Sequence, residues 1–225
     1  MGKHRLIILA IAALVLFSGV AWLIERSNEK IYKGKPLSEW LAGMDYGQPP
    51  LVRSNATIAI RELGTNILPR LLSDLDRPRH RLREGMANLG NDLLGKMYIN
   101  QNRFRFVTFN DRSHRAVQAF WVLGPAGESA APELMRLSVE NPFCLDTFQY
   151  MGPGVIPALA KALTDTNQWV RYHAAVVVGS FGPKASEVVP ILLINLAETN
   201  PTVRREMTNA LMKIDPIAAA KTGIN

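Results

Sequence analysis

Cysteine is almost missing from this chain. Among 225 residues only Cys144 carries a thiol, which excludes an internal disulfide and the disulfide-stapled class of small scaffold. Histidine is nearly as scarce, at His4, His80, His114 and His173. None has a second histidine or a cysteine at the short spacing that metal ligands need, so neither a metal site nor a cofactor is expected. The Gly-Pro pairs lack the Lys-Ser/Thr that would complete a phosphate loop. Cys144 has no histidine or cation beside it in sequence and reads as a small packed hydrophobe. No catalytic motif emerges from these types, and the chain is expected not to be an enzyme.

Charge is missing from one place and concentrated in another. Leu6–Ile24 is a run of 19 residues without a charged side chain, about 28 Å as a helix and close to the hydrocarbon thickness of a bilayer. The favoured reading is a single membrane anchor, because apolarity continues through Trp22, Leu23 and Ile24. The alternative is a cleaved signal peptide, with a basic head over residues 1–5 and small residues "SGVA" before Trp22. A literal Lys/Arg count around the segment puts its C-terminal side inside. The short cationic head has the layout of an export signal, and export of the bulk of the chain is the orientation expected.

The net charge is +7. Residues 1–69 carry 8 Lys/Arg against 5 Asp/Glu, residues 70–115 carry 10 against 5, and residues 116–225 carry 8 against 9. The cationic excess is therefore strongest in the middle of the chain.

What the chain has in plenty is repetition. "LTDTNQWVRYHAAVVVGSFG", starting at Leu163, returns 33 residues later as "LAETNPTVRREMTNALMKID". Leu163 aligns with Leu196, Asp165 with Glu198, Asn167 with Asn200, and Val170-Arg171 with Val203-Arg204, without a gap. Breaks of one kind punctuate the rest: "ELGTNILP", "VLGPAGESAAP", "YMGPGVIP" and "SFGPKASEVVP". The glycine suits a helix C-terminus and the proline a first helical turn. With proline as the ruler, first helices are expected near 67–75, 130–139, 155–163 and 188–197, each followed by a second helix. A unit this small cannot bury its own apolar faces, so neighbours must stack. "VVPILLINL" is apolar nearly all round, as a helix sandwiched within such a stack would be.

These residues resemble HEAT repeats, over roughly 50–221 and most strongly from Gly152 to Asp215. The resemblance implies an all-α fold, an α-α superhelix or HEAT-like solenoid, and the uncharged run at 6–24 places one N-terminal transmembrane helix before it. It also implies that Asp165 with Arg171, and Glu198 with Arg204, form a structural ladder joining adjacent repeats. His173, in the second helix, reads as a surface or ladder-adjacent histidine. Counting the same offsets from Pro69 gives Arg77 and Arg83, and from Pro132 gives Glu140 and Asp146, so the pattern breaks there. HEAT-fold hydroxylases hold iron through His-Glu doublets, and this sequence has none.

Between residues 25 and 49 lies a linker, "YKGKPLSEWLAGM" within it. A short amphipathic helix over 36–44 is expected, with Leu37, Trp40, Leu41 and Met44 on one face. It resembles the lead-in segment of membrane-tethered bacterial HEAT proteins, and reads as a cap on the open end of the stack in preference to a docking motif.

Residues 77–113 form an atypical basic insertion in the 50–221 repeat region. Leu82, Met86, Leu89, Leu93 and Met97 mark a stripe on a long helix opened by Pro78. Arg77, Arg79, Arg81, Arg83, Arg103 and Arg105 are candidate contacts for an anionic partner, either nucleic acid or lipid headgroups. The reading preferred over that is a solvated face, with Phe104, Phe106 and Phe109 packing the loop. The arginine clusters at either end meet only if the helix breaks near Gly90 or Gly95. The function expected is a non-catalytic, membrane-tethered scaffold that binds a protein partner. An anionic-surface binder is the alternative and a HEAT-like lyase the third.

Overall fold

The computed structural model describes residues 29–96 and 107–223. The candidate anchor at 6–24 lies outside them. Among the described residues no helix is long and apolar enough to cross a membrane. The described residues are all-α apart from one two-stranded ribbon, and form two compact units.

The first unit holds the described residues up to Leu63 together with Arg77–Arg115. It opens with antiparallel strands β1 (Ile31–Tyr32) and β2 (Lys35–Pro36). The turn between them needs positive φ at Lys33 (47°) and Gly34 (77°), which is why a glycine stands there. Helix α1 (Leu37–Gly43) comes next, its start tied down by the Glu29 carboxylate, which accepts from both Ser38 N and Ser38 Oγ. Leu37, Leu41 and Met44 are buried, and Trp40 donates its indole N–H to the Tyr32 carbonyl. Helix α1 packs on α2 (Pro50–Leu63) so closely that a Cβ at Gly43 would stand 3.1 Å from the Ala56 methyl.

The second unit comprises Gly64–Asp76 and residues from Ala116 onward. Its first helices are α3 (Leu68–Leu75), α6 (Ala131–Leu137), α8 (Ile156–Ala162) and α10 (Val189–Ile194). Pro69, Pro132, Pro157 and Pro190 each occupy the second residue of one of these, where a missing N–H costs nothing. Gly64, Gly124, Gly152 and Gly182 all have positive φ, between 53° and 82°, as a helix stop requires. The Gly-to-Pro spacing is set by the 3₁₀ turn between them. Gly64–Ile67 and Pro153–Val155 are short, while Gly124–Ala130 and Gly182–Val188 run seven residues each.

The second helices are α7 (Phe143–Met151), α9 (Gln168–Ser180) and α11 (Pro201–Ile214). Contacts run α3–α6–α8 along one layer and α7–α9–α11 along the other, with α6 on α7, α8 on α9 and α10 on α11 across it. The stack ends with α12 (Pro216–Lys221) on α11. Small residues let α9 and α11 approach: a Cβ on Gly179 would meet the Ala210 Cα at 3.1 Å. In this unit Phe148, Leu159, Val178, Met207 and Leu211 are buried.

Two expectations need correction. Helix α10 is not sandwiched: Leu192 is buried, but Ile194 is 77% exposed. In the last repeat the first helix leaves both Leu193 and Ile194 exposed. The long helix α4 runs from Arg77 to Lys96 without a break at Gly90, and its buried residues are Ala87 and Gly90. Leu82 is 87% exposed and Leu89 is also exposed, with Met86 and Leu93 half-buried. The buried line is displaced by one residue, a rotation of about 100°, onto small side chains that permit close approach. Met97 lies outside the described residues.

Candidate functional site

The repeated acid, asparagine and arginine come together at the turns between first and second helices. Asn167 precedes α9 with an extended backbone, and its side-chain oxygen accepts from Trp169 N at 2.9 Å. Asn200 does the same before α11, accepting from Thr202 N and Val203 N. These are N-caps, satisfying backbone donors that the helix cannot. The acid two residues earlier braces each cap. Asp165 Oδ1 accepts from Asn167 N at 2.7 Å, and Glu198 Oε1 from Asn200 N at 3.0 Å.

The two arginines share one inner contact and differ in an outer one. Arg171 Nη1 donates to the Asp165 carbonyl at 2.8 Å, and Arg204 Nη1 to the Glu198 carbonyl at 2.7 Å. Arg171 Nε then reaches the next repeat, donating to Glu198 Oε2 at 2.7 Å. The Glu198 side chain is only 7% exposed there. A charge-assisted bond held that far from water is worth more than a surface pair. The Arg171 guanidinium, and next the Asn200 N–H, hold the Glu198 carboxyl below its ordinary value. Asp165 gives Arg171 its backbone carbonyl, while its carboxylate serves the cap.

The groups best suited to chemistry are disarmed. Burial pushes the Cys144 thiol up to about 12, so it is no thiolate at neutral pH. Ser138 Oγ donates to the Met135 carbonyl at 2.7 Å and lies 2.8 Å from His173 Nδ1. The arrangement that satisfies both contacts has the proton on Nδ1 and the serine oxygen accepting from it. That is the reverse of what a base does to a nucleophile. Burial also lowers the His173 ring below its ordinary value, favouring the neutral form. No group of three or more His, Cys, Asp or Glu able to hold a metal occurs among the described residues.

In the basic insertion, Arg77, Arg79, Arg81 and Arg83 all fall in α4. Arg77 and Arg81 are exposed, and the Arg77 guanidinium stands over the Phe109 ring at 5.4 Å. Phe109 is buried and opens α5 (Phe109–Leu123), with its N–H bonded to the Glu84 carboxylate. Arg103, Arg105, Phe104 and Phe106 lie outside the described residues. In the same unit Arg115 grips Asp45 through two nitrogens, at 3.0 and 2.6 Å.

Sequence reasoning passed over two features of the second unit. One is the capping role of Asn167 and Asn200, for which an asparagine directly before a helix was the available signal. The other is a set of exposed aromatics. Trp121 on α5 is 62% exposed and tilts against Tyr150 of α7, with ring centroids 6.3 Å apart. Trp169, also exposed, meets Tyr172 edge-on at 6.1 Å. No periodicity distinguishes such an indole from one in the core.

Helix pairs stacked in two layers, with an arginine passing from one turn to the next, define a helical repeat protein. The family model for HEAT repeats matches residues 145–222, and that stretch is a HEAT-repeat segment. The chain is also similar to a protein from Chromobacterium violaceum named purine nucleoside phosphorylase DeoD-type. The two are 26% identical over 183 residues, covering 78% of this chain and 73% of that one. At that distance the name carries no activity across. No solved structure matches.

Proposed function

We propose that this chain is a non-catalytic scaffold, held at a membrane by Leu6–Ile24, whose helix stack binds a protein partner. HEAT repeats in general mediate contacts between proteins. The observation that carries the reading is the pair of exposed indoles, Trp121 and Trp169, each steadied by a tyrosine. Large aromatics fixed before binding lose little entropy on contact and dominate the energetics of protein interfaces. In this reading Asp165, Arg171, Glu198 and Arg204 form the structural ladder that would hold the last two repeats together, supported by the Arg171–Glu198 bond and by the arginine-to-carbonyl bonds at Asp165 and Glu198. The anchor reading rests on the uncharged length of 6–24, and export of the bulk on the short basic head before it.

The test is crosslinking of the full chain in native membranes, then the same experiment with Trp121→Ala and Trp169→Ala. A specific partner should be captured, and both variants should lose it while keeping the parent melting temperature. The exposed Arg77 and Arg81 on α4 favour a second reading, an anionic-surface binder. Capture of no protein, together with salt-sensitive binding to anionic vesicles or duplex DNA, would establish that reading in its place.

A further inference from the structure

The last repeat carries an open copy of the joint that the preceding repeat has filled. In α9 the Arg171 Nε holds the Glu198 carboxylate, delivered by the turn 33 residues after its own. In α11 the equivalent Arg204 donates from Nη1 to the Glu198 carbonyl. Among the described residues no carboxylate comes within ion-pair distance of it. Beside it lies a groove of about 500 Å³ lined by Leu196, Pro201, Arg204, Arg205 and Thr208. Shifted back by one repeat, those positions are Leu163, Gln168, Arg171, Tyr172 and Ala175. That earlier set is where the next turn seats: Glu198 binds Arg171, and Asn200 binds Gln168. The groove is thus the slot of a further turn, and the group that fills its counterpart is an acidic side chain.

We infer that this slot receives an Asp- or Glu-bearing turn of a partner protein, with Arg204 Nε as the carboxylate donor and Arg205 beside it. This rests on the scaffold reading and names the chemistry of the partner's contact. Local charge favours a carboxylate-bearing occupant, since Arg204 in the groove wall has no carboxylate at ion-pair distance among the described residues. Leu196 and Pro201 add apolar surface within the groove itself, of the kind that forms an interface core. A turn docked there would meet a charge at its tip and apolar side chains about it.

The probe is a labelled peptide with this chain's own acidic turn, Leu-Ala-Glu-Thr-Asn-Pro-Thr-Val, titrated into the full chain in detergent and monitored by fluorescence anisotropy. Binding should weaken at least fivefold when the peptide glutamate becomes glutamine, and as much for Arg204→Gln. Thr208→Trp fills the groove while leaving Arg204 in the chain and should also abolish binding, which separates occupancy of the slot from misfolding of an arginine variant. Equal affinity for the two peptides, no binding at all, or full binding by Thr208→Trp would each overturn the proposal. So would a dimer of the free chain that Arg204→Gln dissociates, because a second copy would then fill the slot. If the crosslinked partner persists in Arg204→Gln and Thr208→Trp, the scaffold reading survives and this contact does not.

Discussion

Helices α4 and α11 are both long and both carry several arginines, yet they relate to their sequences in opposite ways. In α11 the residues with helical apolar spacing, Val203, Met207, Ala210, Leu211 and Ile214, are the buried ones. In α4 the apolar stripe faces outward at Leu82 and Leu89, and Ala87 and Gly90 are buried instead. Helix α11 begins with an asparagine cap and a proline. The first turn of α4 has no acidic residue and starts at Arg77, with cations facing the positive end of the helix dipole. The difference teaches where pattern reading works. Within a repeat, each helix meets a neighbour built on the same template, so periodicity and burial agree. Helix α4 lies outside that template, and its apolar residues have no repeated surface prepared for them.

Truncation of the two apolar sets should separate them most widely. Met207→Ala removes a fully buried side chain and is expected to cost about 2–5 kcal/mol through lost burial and a cavity. Urea unfolding measures it, and a loss below about 1 kcal/mol would mean that the α9–α11 layer is looser than its burial implies. A smaller effect attaches to pH. Because the folded Glu198 carboxyl sits below its ordinary value of 4.5, the unfolded chain takes up the proton first on acidification. Its stabilising contribution is complete above pH 4.5 and is lost as pH falls through the folded value. Glu198→Gln should flatten that part of the stability curve, and an unchanged acid limb would assign it to other carboxyls. Histidine works in the same direction at higher pH. The lowered His173 ring makes stability fall as pH drops below 6.5, so His173→Gln should remove a shallow slope that begins there and runs toward lower pH. The smallest effect belongs to Leu82→Ala, expected within about 0.5 kcal/mol of the parent. A larger loss would show that Leu82 packs against something, and would end the contrast between α4 and α11.

Much of the second unit was legible in advance because its punctuation is chemical. Pro69, Pro132, Pro157 and Pro190 mark helix starts through a missing N–H, and Gly64, Gly124, Gly152 and Gly182 mark stops through positive φ. Local chemistry of this kind needs no knowledge of the partner surface. Features that depend on distant contacts were not legible. Arg115 finds Asp45 across 70 residues of sequence, and nothing in either segment announces it. The exposure of Ile194 depends on whether another helix pair stacks beyond the last repeat, which "VVPILLINL" does not encode. The ribbon at 31–36 was legible in principle, since Lys33-Gly34 between short extended runs is a hairpin signal. The candidate contact surface was the least legible, because the exposure of Trp121 and Trp169 is set by neighbouring helices.

The joint between the last two repeats is most directly tested by a double-mutant cycle in urea with Arg171→Ala, Glu198→Ala and both together. Each single change should cost about 1–3 kcal/mol, because it strands a partner held away from water. The double variant should be less destabilised than the sum, by about 1 kcal/mol or more, with the melting transition still single. Strict additivity, or loss of partner binding in Arg171→Ala at unchanged stability, would contradict a structural joint and make Arg171 part of a binding site.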